Sequence, residues 1–144
     1  MTLALDINPL LYATDVRSRY HSDAHNFLTQ LVQGHEPVYL FWPVAVGYVR
    51  LSTAPGVSDS PLLLHEATGN IEGLLALPHF RPGGERATFW AEFAHAATES
   101  QARGKLISDV HIVALMRQNE VRRILSHDRD FRKFDGIEIV DPFG

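Results

Sequence analysis

Cysteine is absent from this chain of 144 residues, which excludes disulfide bridges and metal sites built on thiolates. Long apolar runs are absent too: no stretch approaches the ~20 apolar residues that a membrane-spanning helix needs. The first residues show neither a basic start nor a small-residue cleavage pattern, so the sequence predicts no secretion signal. From these absences we expect a cytoplasmic protein without a membrane partner.

Positive charge is in short supply. The 13 lysines and arginines are outnumbered by 17 aspartates and glutamates, which gives a formal net charge of −4. This balance argues against a protein that binds nucleic acid through bulk positive charge. It leaves room for an enzyme that holds nucleic acid through a metal site and a local basic rim. The length fits one domain over residues 1–144.

Short apolar segments alternate with segments of helical periodicity. We predict strands at residues 2–5, 38–41, 123–126 and 137–140, and a further short strand near 79–80. Helix starts are predicted at Asn8-Pro9 and at the cap pair Ser60-Pro61, and a helix is predicted over residues 109–119. The alternation indicates an α/β fold with a mostly parallel sheet of four to five short strands.

Three aspartates each follow a short apolar run. Asp6 follows residues 3–5, Asp109 follows residues 106–107, and Asp128 comes after the apolar residues 124–125. In a parallel α/β sheet, polar residues just beyond the strands lie at the crevice where such folds bind ligands. Three carboxylates there would form an oxygen-lined site for a hard divalent cation. That chemistry suits metal-assisted hydrolysis, most simply of a phosphodiester.

Each aspartate also has an ordinary structural explanation. Asp109 would cap the helix that it precedes, and Asp128 lies in a segment typical of a turn. Helical spacing, however, places Asp109 on one face with Val113 and Met116, so its carboxylate should point inward. Two carboxylates about 5 Å apart repel by roughly 3 kcal/mol at an effective dielectric of about 20, so three of them need a cation or raised pKa values.

Other motifs are weaker. The eight histidines lack the spacing of zinc sites, and the serine, histidine and aspartate at 126–128 are sequence neighbours, whereas a nucleophilic triad is assembled in space. Residues 6–8 lack the second aspartate of haloacid-dehalogenase-like phosphatases. Among the basic residues, Arg50, Arg129 and Arg132 form either a solvated face or a rim that positions phosphates.

Three segments resemble the PIN-domain ribonucleases, specifically the VapC toxins of bacterial toxin–antitoxin pairs, in a mycobacterial-like branch. The segments are LDINPLLY at residues 5–12, GKLISDVHI at 104–112 and LSHDRDFRKF at 125–134. In the last segment a hydroxyl residue, Ser126, precedes the acidic position by two, as in the family. The order and spacing of the segments, together with the terminal Asp-Pro-Phe, extend this resemblance over nearly the whole chain.

The resemblance implies a PIN-like three-layer α/β/α domain and a toxin that acts as a Mg²⁺-dependent endoribonuclease. Asp6, Asp109 and Asp128 would be both the catalytic residues and the Mg²⁺ ligands, with Mn²⁺ able to substitute. Water activated by the metal would hydrolyse RNA phosphodiester bonds. Asn8 and Ser126 would support the ligands. Asp130 would be an extra ligand or an orienting group.

The resemblance also implies partners. RNA would be the substrate, and Arg50, Arg129 and Arg132 would position its backbone. A small VapB-like antitoxin would inhibit the toxin by filling its active-site groove with a peptide. The family commonly forms homodimers, so a homodimer is expected here.

One position departs from the family pattern. Members usually carry a glutamate in the helix before a Val-Arg-Leu-like run, and this chain has Gly47 there, in VGYVRL at residues 46–51. Glycine has no side chain with which to ligate a metal, so Glu66, Glu72 and Glu85 are candidates to replace the missing carboxylate. Two alternatives stand beside the ribonuclease: a catalytically weak module that binds RNA or antitoxin, and a Mg²⁺ phosphatase that acts on small phosphoesters.

Overall fold

Five short strands build the central sheet of this computed structural model, which describes residues 2–58 and 60–143. In chain order they are β1 (Leu3–Leu5), β2 (Val38–Phe41), β3 (Phe80–Gly83), β4 (Arg123–Leu125) and β5 (Glu138–Val140). All neighbouring pairs run parallel, in the order β3-β2-β1-β4-β5. The expected parallel α/β sheet is therefore confirmed.

Helices cover the sheet on both faces. They are α1 (Ile7–Thr14), α2 (His21–Gln33), α3 (Trp42–Ser52), α4 (Leu64–Leu75), α5 (Phe89–Ser100) and α6 (Leu106–Gln118), and a 3₁₀ helix spans Arg129–Lys133. The chain steps from β1 to β2 and β3 in one direction and then back across to β4. Right-handed crossovers therefore place α1 to α4 on one face and α5 and α6 on the other. In the part of the chain described, no helix has the length and apolar character to cross a membrane.

The strand order reverses between β1 and β4, which are hydrogen-bonded neighbours. Leu5 pairs with Leu125, and just beyond this pair the backbone N–H of Asp6 donates to the carbonyl of Leu125 at 3.1 Å. The N–H of Ser126 donates to the carbonyl of Val140 at 3.1 Å. Ligands of open α/β sheets bind at such a switch point, outside the carboxyl ends of the strands. Asp6 and Ser126 are the first residues past those ends.

Helix starts differ from the sequence expectation in three places. Asp6, not Asn8, caps α1, because its carboxylate accepts a hydrogen bond from the next backbone N–H. The helix expected at Ser60-Pro61 begins later, at Leu64, where the Glu66 carboxylate accepts from the backbone N–H of the cap residue at 2.9 Å. The apolar pair 106–107 opens α6 and is not a strand.

Candidate metal centre

Asp6 places a buried carboxylate at the end of β1. Its Oδ1 accepts a hydrogen bond from the backbone N–H of Ile7 at 2.8 Å, and 6% of the residue is exposed. Burial raises the pKa of Asp6; hydrogen bonds from Ser126 and Ile7 partly oppose this rise, and the charge of Asp128 adds to it. The carboxylate is thus fixed in a position where its negative charge is poorly solvated.

Ser126 connects Asp6 with Asp128 across the gap between β1 and β4. Its side chain is fully buried. Its Oγ donates to Oδ2 of Asp6 at 2.6 Å and accepts from the backbone N–H of Asp128 at 2.9 Å. One hydroxyl therefore positions two of the three aspartates, and without it a buried carboxylate oxygen would lose its donor.

Asp109 reaches the crevice from the other side of the sheet, in the first turn of α6. The partial positive charge at a helix N-terminus favours a carboxylate there. Val113 and Met116, on the same helical face, are fully buried, whereas Asp109 is half-buried. Asp109 therefore lies at the open end of a buried helix face.

Asp128 and Asp130 are presented by the turn that follows β4. Asp128 caps the 3₁₀ helix, and its Oδ1 accepts from the backbone N–H of Asp130 at 2.9 Å. Lys133 approaches Asp130 at 3.4 Å, but both side chains are 53% exposed. An exposed pair of this kind neutralises little charge.

Three carboxylates meet at this point. One oxygen from each of Asp109, Asp128 and Asp130 lies within 4.8 Å of the others. Among the described residues Asp6 does not join this group, and its two oxygens accept hydrogen bonds from Ile7 and Ser126. The structure thus brings Asp130, expected in a supporting role, into the tight group and holds Asp6 beside it.

Burial and the neighbouring carboxylates together raise the pKa of Asp109. The pKa of Asp109 is raised to about 8, first by burial, then by the charge of Asp128 and a hydrogen bond with it, and then by the charges of Asp6 and Asp130. At neutral pH, without a cation, Asp109 therefore keeps its proton. A cation that enters the group must displace this proton, because metal ligands bind in their deprotonated form.

The donors and their spacing fit a hard divalent cation. All three are carboxylate oxygens, which Mg²⁺ and Mn²⁺ prefer. Oxygens held about 2.1 Å from one Mg²⁺ are about 3 to 4 Å apart, which is close to the separation found in this group.

The other residues predicted for the site lie around this group or away from it. Asn8 is in the first turn of α1, and none of the side-chain hydrogen bonds within the described residues involves it. Arg129 and Arg132 are exposed on the 3₁₀ helix, next to the carboxylates, and Arg50 is exposed in the last turn of α3. The three arginines are therefore accessible to a polyanion.

The glutamates considered as replacements for the missing carboxylate stay outside the group, as far as the described residues show. Glu66 is engaged at the start of α4, and Glu72 is exposed on the same helix. Glu85 accepts a hydrogen bond from Nε2 of His111 at 2.5 Å, and this contact lowers its pKa. His111 follows Asp109 by two residues and so points to the opposite side of α6.

Gly47 is buried in α3 and faces the start of α1. A Cβ atom at this position would lie 2.6 Å from Cδ1 of Ile7 and 3.5 Å from its Cγ1. Ile7 directly follows Asp6. Where the family pattern has a glutamate, this chain therefore packs an apolar side chain against bare helix backbone, one residue from the buried carboxylate.

A cluster beside the carboxylates was missed in the sequence. Nδ1 of His127 lies 3.0 Å from Asp141, and its Nε2 lies 3.2 Å from the hydroxyl of Tyr20. The rings of Tyr12, Tyr20 and His127 all pack around Phe143, with centroid separations of 5.3–5.8 Å. The terminal Asp-Pro-Phe was the part of the sequence that could have indicated this cluster. Its contacts with residue 20 could not be predicted, because contacts between residues so far apart in the chain produce no periodic pattern.

The chain is similar over nearly its full length to a curated ribonuclease. Ribonuclease VapC48 of Mycobacterium tuberculosis is 43% identical over 143 residues, which cover 99% of each chain. No protein-family profile matches the chain.

Two solved structures share the fold at low sequence identity. VapBC2 of Rickettsia felis, bound to a DNA fragment of its promoter, aligns with a TM-score of 0.69 and 12% identity and covers 98% of each chain. VapC20 of M. tuberculosis, described as a sarcin–ricin loop cleaving toxin, aligns with a TM-score of 0.67 and 13% identity, over 90% of this chain and 92% of that one. These matches support the PIN-like α/β fold.

Proposed function

Because this chain belongs to the VapC family of PIN-domain ribonucleases, the toxins of toxin–antitoxin pairs, we propose that it hydrolyses RNA with a divalent cation held by its carboxylate group. The observation that carries this proposal is the meeting of Asp109, Asp128 and Asp130 at the switch point of the sheet. Mg²⁺ is the proposed cation, and Mn²⁺ should replace it because it takes the same oxygen ligands.

The aspartates divide the work in this proposal. Asp109, Asp128 and Asp130 each offer an oxygen to the cation, and Asp6 holds Asp128 in place through Ser126 while adding negative charge beside the group. A bound divalent cation activates water as a nucleophile and stabilises the charge that develops on the phosphate. Asp6, Asp109 and Asp128 remain the proposed catalytic residues, now with Asp130 as a ligand.

The proposed partners follow from the family. RNA is the substrate, and the exposed Arg50, Arg129 and Arg132 supply positive charge for its backbone. A small VapB-like antitoxin is the proposed inhibitor, which is supported by the VapBC2 complex that shares this fold. We further propose a homodimer that acts in the cytoplasm, where RNA and antitoxin are available.

The test is RNA cleavage by the purified chain in Mg²⁺, with EDTA in a parallel reaction. Asp6→Asn and Asp109→Asn remove a charge from the site, and Asp23→Asn is the matched control because it removes an exposed aspartate from the first turn of α2. We expect the wild type and Asp23→Asn to cleave. EDTA and both site variants should abolish cleavage.

Two results would overturn the proposal. RNA binding without cleavage would favour a catalytically weak binding module. Turnover of a chromogenic phosphoester without RNA cleavage would favour a Mg²⁺ phosphatase. If cleavage is found, sequencing of RNA ends after induced expression in a host without antitoxin will identify the target.

A further inference from the structure

A line of polar contacts joins the end of the chain to an exposed arginine through His127, the residue between Ser126 and Asp128. Asp141 contacts Nδ1 of His127 at 3.0 Å, and Nε2 of the same ring lies 3.2 Å from the hydroxyl of Tyr20. The guanidinium of Arg19 donates to that hydroxyl through Nη2 and also lies over the Tyr20 ring, 4.7 Å from its centroid. Four side chains thus form one continuous series.

The chemistry of the groups sets the direction of these hydrogen bonds. The Asp141 carboxylate only accepts, so Nδ1 of His127 donates to it. The hydroxyl of Tyr20 lies within hydrogen-bond distance of Nε2, and its oxygen accepts from Arg19. Asp141 is itself held by the backbone N–H of Phe143 at 2.9 Å. Arg19 is therefore anchored directly by the Tyr20 hydroxyl, and no carboxylate contacts its guanidinium within the described residues.

The series borders the proposed metal site. His127 stands between Ser126 and Asp128 in the loop that supplies the carboxylates. The ring of Tyr12 packs on Tyr20 at 5.0 Å, and after burial and Tyr20 the charge of Asp6 raises the pKa of this phenol, whereas Arg19 lowers it. One phenol thus lies within the electrostatic range of both Arg19 and the site.

Arg19 carries an unneutralised charge. It is exposed, and within the described residues its polar contact is with the Tyr20 hydroxyl and no carboxylate forms an ion pair with it. A guanidinium has five N–H donors, of which Tyr20 takes one. The remaining donors are available at the edge of a site crowded with carboxylates, where a polyanionic substrate needs a positive partner.

We propose that Arg19, anchored by the Tyr20–His127–Asp141 series, binds an RNA phosphate next to the scissile bond and so positions the substrate over the carboxylate group. This inference rests on the proposed function. It adds Arg19 to the RNA-binding arginines already proposed in α3 and the 3₁₀ helix. Arg19 and Tyr20 are positioning residues: they set where the backbone lies and take no part in bond cleavage.

Steady-state cleavage with Arg19→Gln tests the proposal. We expect KM to rise about fivefold to tenfold, with kcat within about twofold of wild type. The negative slope of log(kcat/KM) against log[salt] should become shallower by about 0.7 to 0.9, as expected for one lost phosphate contact. Arg19→Lys should recover most of the loss, because an ammonium also binds phosphate as a point charge. Arg122→Gln is the matched control. Arg122 is exposed just before the amino-terminal end of β4, whereas the carboxylate group lies beyond the carboxyl ends of the strands.

Tyr20→Phe separates the anchor from the charge. This variant keeps the ring but removes the hydroxyl that joins Arg19 to His127. We expect a smaller rise in KM than for Arg19→Gln and no further rise when the two changes are combined. Full additivity of the two effects, an unchanged salt slope, failure of Arg19→Lys to recover activity, or an equal effect of Arg122→Gln would each overturn the proposal.

A binding measurement keeps this proposal separable from the proposed function. Fluorescence anisotropy with a fluorescein-labelled single-stranded RNA is measured on Asp109→Asn, with and without Arg19→Gln. Weaker binding and a smaller salt slope in the double variant support the phosphate contact even if the wild type does not cleave RNA. Cleavage by the wild type together with Arg19-independent binding would remove Arg19 and leave the ribonuclease standing.

Discussion

The two ends of α6 hold charged side chains under opposite conditions. In the first turn Asp109 faces Asp128, and its pKa is raised to about 8 by burial and by neighbouring carboxylates. In the last turn Arg117 pairs with Glu99 at 2.8 Å and donates to a backbone carbonyl at 2.9 Å. The hydrogen bond from Arg117 lowers the pKa of Glu99. Eight residues, about 12 Å of helix, separate the two situations.

The difference distinguishes a charge that stabilises the fold from one that requires a ligand. Arg117 and Glu99 pair within the chain, and the lowered pKa of Glu99 favours its charged form. Below about pH 8, Asp109 loses its proton only when a cation displaces it. Asp109 and Glu99 therefore serve different purposes, although neither stands out in the sequence.

The largest expected effect separates activity from stability at these two ends. Asp109→Asn should lower RNA cleavage at least about 10³-fold, because it removes a cation ligand, while the metal-free protein keeps or gains stability through lost repulsion. Glu99→Gln should retain cleavage but lower the free energy of unfolding by about 2 kcal/mol, because Arg117 loses its charged partner. The measurements are RNA cleavage in Mg²⁺ and urea unfolding in EDTA.

The reverse pattern would break the comparison. Retained cleavage by Asp109→Asn would remove this residue from the mechanism. A cleavage defect in Glu99→Gln that persists at temperatures where the variant is fully folded would show that the paired end also contributes to activity.

The next effect is a dependence of metal affinity on pH. The folded state keeps the proton of Asp109 up to about pH 8, whereas the unfolded chain releases it near its ordinary value of 3.8. The folded state binds more protons in this window, so the metal-free protein should lose stability as pH rises from about 4 to about 8. Because the cation displaces that proton, Mg²⁺ affinity should rise by up to about tenfold per pH unit below pH 8 and level off above it.

Calorimetric titration of Mg²⁺ between about pH 6 and pH 9 measures this dependence. Glu99→Gln should reproduce the wild-type profile, since the lowered pKa of Glu99 keeps it charged over this range and it contacts the last turn of α6, away from Asp109. A flat affinity profile in the wild type would show that Asp109 does not hold the displaced proton.

A smaller effect is the stabilisation of the fold by the cation. Mg²⁺ at ten times its Kd should stabilise the folded state by about 1.4 kcal/mol. For a chain of this size that corresponds to a rise in Tm of about 4 °C. Glu99→Gln should show the same rise from a lower starting Tm, whereas Asp109→Asn should show little. Absence of a rise at millimolar Mg²⁺ or Mn²⁺ would argue against a shared cation site.

Strand positions were predictable from the sequence for a physical reason. Central strands of a parallel sheet are covered on both faces, so they consist of uninterrupted apolar residues. Residues 38–41 match β2 to the residue, and β1 lies within the predicted segment. Helix starts were less predictable, because Ser60-Pro61 is a good local cap whose helix begins only at Leu64, where the Glu66 carboxylate accepts from the backbone N–H of Leu63.

The membership of the carboxylate group was only partly predictable. Asp109 and Asp128 were identified from the ends of apolar runs, although the run before Asp109 is helical. The place of Asp130 depends on how the 3₁₀ turn bends, and that of Asp6 on a hydrogen bond with Ser126, 120 residues away in the chain. Contacts of this range leave no spacing to detect in a single sequence.

The smallest expected effect concerns the missing glutamate. Gly47→Glu should tighten Mg²⁺ binding about fivefold, because added ligand charge raises the affinity of an oxygen site. The new side chain must displace Cδ1 of Ile7, which lies 2.6 Å from the position of its Cβ, so the single variant should also lose about 1–3 kcal/mol of stability.

Ile7→Val removes the obstructing Cδ1. It therefore separates the effect of the new carboxylate on Mg²⁺ affinity from the steric clash with Ile7. The double variant Ile7→Val/Gly47→Glu should bind Mg²⁺ at least as tightly as Gly47→Glu and recover part of its lost stability, and Gly47→Gln is the uncharged control of equal size. Calorimetric titration and urea unfolding measure the two quantities. If the glutamate and glutamine variants bind Mg²⁺ equally, residue 47 does not reach the cation, and the carboxylates after β4 and in α6 are sufficient to hold it.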